Sequence, residues 1–173
     1  MFCIFNEKEV FLKKLWLFLF PLSLFAKVSY ISVGGGTFDV LRSKYRTGEV
    51  KLEYQTAASW CWIHPIAGLV QTFKGDTYLY GGFAINIGLE KFLVIPSLAA
   101  GYYHQGGGKD LGYPLEFRSA VMICYQRPSK TRIGIQFAHV SNAGLSHRNP
   151  GEESLSLVFG FPLKWPEPEK DKK

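Results

Sequence analysis

From residue 28 onward, large apolar residues tend to recur at every second position. In the segment 153–164, Leu155, Leu157, Phe159, Phe161 and Leu163 share one face, opposite Ser154, Ser156, Val158, Gly160 and Lys164. In 131–142, Ile133, Ile135 and Phe137 oppose Arg132, Gly134, Gln136 and Ala138; in 77–89, Leu79, Phe83, Ile85 and Ile87 oppose Tyr80, Gly82, Ala84 and Asn86. A period of two is that of a β-strand, whose successive side chains point to opposite faces of the sheet. Eight such segments are delimited by turn residues, at 28–40, 46–57, 61–73, 77–89, 91–104, 116–127, 131–142 and 153–164. Short connections fall at Lys74-Gly75-Asp76, at Glu90 and at Pro128-Ser129-Lys130, and longer polar ones at 41–45, 105–115 and 143–152. The stretch 58–60 fits neither class.

The residues between the large apolar positions decide what kind of sheet this is. A small soluble barrel hides its large side chains inside. Here the alternate face is small or polar, as in a barrel whose outside meets lipid. Trp60, Trp62, Tyr102, Tyr103, Tyr125 and Trp165 fall near strand ends, where an aromatic girdle belongs. The fold class expected is all-β, an eight-stranded antiparallel transmembrane β-barrel. A half-buried soluble sandwich shares the alternation, and the start of the chain separates the two. Lys13-Lys14 precede an apolar run at 15–25, followed by Ala26. That is the layout of an export signal, and the run falls short of the roughly 20 residues a membrane helix needs. The expected division is a signal peptide at 1–26, a barrel at 27–165 and a polar tail at 166–173. The long stretch before Lys13, Leu24 at the −3 position and the tail beyond Trp165 depart from the common pattern.

Composition narrows the function classes. The 173 residues suffice for one domain, and 16% aromatics with 18 glycines suit strands and tight turns. The net charge of +6 is spread along the chain without a basic stripe, so no nucleic-acid partner is expected. A basic chain suits an anionic lipid surface better. Of three cysteines, Cys3 lies in the expected signal, and Cys61 and Cys124 lack metal-ligand spacing and read as free thiols. His64, His104 and His147 form no metal set, and Gly106-Gly107-Gly108-Lys109 lacks the spacing of a phosphate loop. Neither metal nor cofactor is expected. Lys109 is expected on a surface loop near lipid phosphate, and Arg118 and Arg132, on inner faces, are expected to pair with Glu53 or Glu116.

The candidate chemistry lies in the last hairpin. His139 and Ser141 continue the face of Ile133, Ile135 and Phe137, and Glu153 continues that of Leu155 and Leu157. With 142–152 as the loop, Ser141 lies opposite Glu153 and His139 one diagonal step away. Polar groups on a lipid-facing stripe are costly and point to a purpose. A serine hydroxyl needs a base to become a nucleophile. An imidazole serves near neutral pH, and a carboxylate orients it. Glu152 points to the other face, although a bulge would exchange it with Glu153, and His147 is a rival base.

The run His139-Val140-Ser141-Asn142-Ala143-Gly144, with Asn149 and Glu153 beyond it, resembles the lipid A 3-O-deacylases of Gram-negative outer membranes, the PagL type. The resemblance is specific over residues 137–163. It implies an eight-stranded barrel in the outer membrane, with termini in the periplasm and an active site facing the outer leaflet. In that pattern Ser141 is the nucleophile, His139 the base and then the acid, and Glu153 the orienting carboxylate. The Asn149 side chain and the backbone N–H near Gly144 supply the oxyanion hole, with Asn142 in support. Lipid A is then the substrate, and the product a 3-hydroxy fatty acid. Monomer and homodimer both stay open. The residues alone leave three other readings: a barrel esterase for phospholipid, a silent barrel with a structural or interaction role, and a soluble lipid-binding barrel.

Overall fold

The computed structural model describes residues 28–60, 62–89 and 91–163. The expected signal at 1–26, the tail at 166–173, Cys61, the Glu90 turn and Trp165 lie outside the described residues. Among the described residues the chain forms β1 (Ser29–Phe38), β2 (Thr47–Gln55), β3 (Ile63–Thr72), β4 (Thr77–Ile85), β5 (Ile87–Leu89), β6 (Phe92–His104), β7 (Leu115–Gln126), β8 (Arg132–Ser141) and β9 (Glu152–Leu163). Sequential segments pair antiparallel, β4 skips to β6, and β1 pairs with β9, so the sheet closes on itself. β4 and β5 face β6 in one continuous register, with Ala84 opposite Ser97 and Ile87 opposite Val94. They are one strand interrupted at Asn86, and the barrel has eight staves. Among the described residues closure pairs every strand on both sides except the short β5, which pairs with β6 alone, and pairing of strand edges is a condition for crossing a lipid bilayer.

The alternation expected from the sequence is the one the barrel uses. Leu79, Leu98, Ile123, Ile135 and Leu157 stand on the exposed outside, at 60%, 69%, 58%, 58% and 48% exposure. Phe73, Tyr102 and Tyr113 mark one end of this apolar band, and Tyr54, Trp60, Trp62 and Phe92 the other. Tyr103 departs from the girdle expected of it. It points inward, and its hydroxyl donates to the Lys109 carbonyl at 2.7 Å.

The inside is packed with polar groups, several of which pair across the lumen, while both Glu116 carboxylate oxygens and Arg118 Nη1 are buried without a hydrogen-bond partner. The Lys51 ammonium donates to Gln136, which also accepts from Arg118 at 2.8 Å. Tyr80 donates to Glu53 at 2.6 Å, and its ring occupies the space left by Gly68, where an added Cβ would lie 2.4 Å from the ring. Ser156 donates to Glu49 at 2.6 Å, and the Ser154 hydroxyl lies 2.9 Å from both Glu49 and Glu152. The two inward arginines do not form the carboxylate pairs expected of them. Arg118 reaches the Gln136 amide, and Arg132 reaches Gln55 and Gln126 at 3.1 Å while stacking on the Tyr30 ring. A cavity of about 20 Å³ lies among these groups, room for about one water molecule and not for a channel.

Four connections, at 39–46, 73–76, 105–114 and 142–151, gather at what we term the loop end; Ser29 and Leu163 lie at the opposite end. At the loop end Asp76 accepts from the backbone N–H groups of Gly106 and Gly108, tying two connections together. Lys109 is buried and bonds Asp39 at 2.5 Å, so it is turned away from the lipid phosphate expected beside it.

Candidate active site

β8 and β9 carry the candidate residues to the loop end on the outer face. The register sets His139 opposite Glu153 and Val140 opposite Glu152. This corrects the expected pairing of Ser141 with Glu153 by two residues, because the register runs on to place Ser141 across from Gly151, and the loop it closes is two residues shorter than assumed. The correction brings the acid and the imidazole face to face. His139 Nδ1 lies 3.1 Å from Glu153 Oε1. A carboxylate only accepts, so Nδ1 is the donor of this contact, and in the neutral ring Nε2 carries the lone pair. Glu153 is mostly buried, with its second oxygen unpartnered, while His139 is 42% exposed. Glu152 points into the lumen, bonded to Ser154, so parity rather than a bulge governs this strand.

Ser141 lies two residues beyond His139 on the same face, and the position across from it is Gly151. A Cβ added at Gly151 would lie 3.1 Å from His139 Cε1 and 3.7 Å from Ser141 Cβ, so imidazole and serine share this corner. Gly151 has φ +56°, in the left-handed region that suits glycine. The Pro150-Gly151 pair was legible as a turn, but its closeness to the imidazole depended on the register.

Asn142 builds the loop from beneath. Wholly buried, it donates from its amide to the carbonyls of Leu111 (3.1 Å) and Arg148 (2.7 Å) and accepts from Gly144 N–H at 3.0 Å. Its own N–H donates to Asn149 Oδ1 at 3.1 Å. The Asn149 oxygen is thereby committed, which leaves its NH₂ as the free end. The Gly144 N–H is occupied by Asn142 in this structure. His147 lies exposed in the loop, away from the His139–Glu153 pair.

An apolar groove of about 550 Å³ opens beside His139 on the outer face, lined by Phe137, Val121, Leu98, Pro96, Phe83 and Ile85 among others. Its residues form two adjacent rows across the sheet. One runs His139–Ser119–Leu98–Phe83, and the other Phe137–Val121–Pro96–Ile85 on toward Ile63. Sequence reasoning did not find this groove. Its signal was two outward positions, Pro96 and Ser119, without the large apolar side chain that their strands otherwise place there.

The sequence profile of the family described as lipid A 3-O-deacylase (PagL) matches residues 32–162. The lipid A deacylase PagL of Pseudomonas aeruginosa is 24% identical, in an alignment covering 84% of this chain and 98% of that protein. A crystal structure of the outer membrane enzyme PagL superposes with a TM-score of 0.62 at 21% identity, over 78% of this chain and 99% of that one. A structure described as a de novo designed transmembrane β-barrel superposes at 0.52 with 12% identity, over 79% and 95%. At such identities the two structures speak for the barrel fold alone, while the profile spans most of the chain. The chain belongs to the lipid A 3-O-deacylase (PagL) family.

Proposed function

We propose that the chain is an outer-membrane esterase that hydrolyses the 3-O-linked acyl chain of lipid A and releases a 3-hydroxy fatty acid. The observation that carries this reading is the 3.1 Å His139–Glu153 contact, on a lipid-facing surface two residues from Ser141 and at the mouth of an apolar groove. Ser141 Oγ gives its proton to His139 Nε2 as it attacks the ester carbonyl. Glu153 holds the ring in the required tautomer and stabilises the imidazolium that forms. The tetrahedral oxyanion is met by the Asn149 NH₂ and by the backbone N–H near Gly144, which must first leave Asn142 Oδ1, and such donors are typically worth about 3 kcal/mol of barrier each. Collapse breaks the bond from acyl carbon to sugar oxygen, and His139 returns the proton to the leaving sugar hydroxyl. Water, activated by the same imidazole, then releases the acyl group from Ser141.

The membrane geometry supports the same assignment. The groove lies on the lipid-facing wall, so an acyl chain reaches Ser141 without leaving its leaflet. The loop end faces the cell exterior and the outer leaflet where lipid A resides, with residues 1–26 acting as export signal. Mass spectra of lipid A from cells expressing wild type and Ser141→Ala test the reading. Loss of one 3-hydroxyacyl group with wild type only is expected, and an acyl pattern unchanged by both proteins overturns it.

A further inference from the structure

A second concavity lies at the loop end, about 300 Å³ in volume, between the ends of β6 and β7. Tyr102 and His104 enter it from the outward face of β6, Gln105 follows, and Asp110, Gly112 and Tyr113 close the other side. It is fixed relative to the nucleophile. Asn142, the residue after Ser141, bonds the Leu111 carbonyl in its floor, and Arg148 of the Ser141 loop bonds Asp110 at 2.7 Å. In register, Ser141 faces Phe117, which faces Ala100, and Tyr102 lies two residues further toward the loop end. The backbone separation is about 12 Å at ordinary strand spacing.

The charge of the lining narrows its ligand. Asp110 is taken by Arg148 and by the Gly112 N–H at 2.8 Å, and the nearby Lys109 is buried against Asp39. With the Tyr103 hydroxyl spent on the Lys109 carbonyl, what is left to bind is the Tyr102 and Tyr113 rings, the His104 imidazole and the Gln105 carboxamide. That set offers stacking faces and neutral hydrogen-bonding groups, and among the described lining residues there is no lysine or arginine for a phosphate. We infer that this concavity is a saccharide subsite, which takes an uncharged face of the substrate's own sugar headgroup while its acyl ester lies at Ser141. The inference rests on the esterase reading above and deepens it. The Tyr102 and Tyr113 rings stack on the sugar, and His104 and Gln105 bond its hydroxyls. The subsite sets which sugar position is presented to Ser141.

The test compares purified wild type with Tyr102→Ala/Tyr113→Ala in detergent, on lipid A and on a sugar-free p-nitrophenyl ester of the same acyl chain. The double variant is expected to raise KM for lipid A about tenfold relative to its KM for the sugar-free ester. Equal changes on both substrates, or none, overturn the subsite. A wild type that cleaves the sugar-free ester but not lipid A defeats the lipid A assignment instead. The subsite is then decided by binding, with acyl-free glucosamine disaccharide titrated into Ser141→Ala and the His104 ring proton shifts followed by NMR. A saturable shift, lost in the Tyr102→Ala/Tyr113→Ala background and kept with dephosphorylated disaccharide, supports it. No shift, or one that requires phosphate, overturns it. A shift without the KM change assigns the concavity to a neighbouring glycolipid and overturns its assignment to the substrate.

Discussion

At Gly151 one missing side chain serves two ends. Its φ of +56° lets the loop turn into β9, and the empty Cβ position lies 3.1 Å from the His139 ring. Gly151→Ala therefore adds backbone strain of about 1 kcal/mol and presses the imidazole away from Ser141. The ring has to give by only a few tenths of an ångström, so the expected result is a fall of about fivefold in kcat with KM nearly unchanged, well short of the roughly 100-fold that a full ångström costs. Steady-state kinetics on a soluble ester check it, with a melting curve to show that the barrel persists; a near-wild-type kcat would remove the imidazole-positioning role. The residue scale also shows how far parity carries. A two-residue slip in register keeps every side chain on its own face, whereas a one-residue slip inverts them all. The sequence therefore put Glu153 and Glu152 on the faces they occupy, yet it set Ser141 rather than His139 across from Glu153.

Among the elements, the β8–β9 connection holds the site, and Asn142 holds the connection. Its side chain reaches Leu111 in the preceding long loop, Arg148 in its own loop and the N–H of Gly144. Asn142→Ala removes the partner of the buried Leu111 carbonyl and of the part-buried Arg148 carbonyl and Gly144 N–H, and is expected to cost about 2 kcal/mol. Most of that loss should appear as local opening of 142–151 rather than as barrel unfolding. Hydrogen exchange at Gly144 and Leu145 separates the two, and exchange there unchanged from wild type would count against Asn142 as the fastener. Strand positions and faces were legible because each strand carries its own period. The bonds of Asn142 were not, because its partners lie 31 and 6 residues away on irregular backbone. The break at Asn86 escaped for a similar reason. Alternation continues through it, and the Asn86 side chain is received inside the lumen, where Gln55 donates to it at 3.1 Å.

For the molecule as a whole, the inner and outer faces follow opposite rules. The outside needs only to be apolar, so its residues could be assigned one strand at a time. The inside depends on closure. Lys51 meets Gln136, and Arg132 meets Gln55, because β2 and β8 face each other across the lumen once β1 joins β9. Pairs reasoned from charge alone missed these amide partners. Closure has another consequence. Ser29 stands opposite Leu163, so the first and last staves of the barrel are neighbours like any other two. A ring has no inherent starting point. Linking Leu163 to Ser29 by a short peptide and opening the exposed turn between Ser129 and Lys130 keeps every ladder of the wall intact. This circular permutant would begin with the hairpin that bears His139, Ser141 and Glu153. Refolded into detergent, it should match the wild-type specific activity on a sugar-free ester. A folded but inactive permutant would show instead that the order in which the staves are laid down is part of what builds the site.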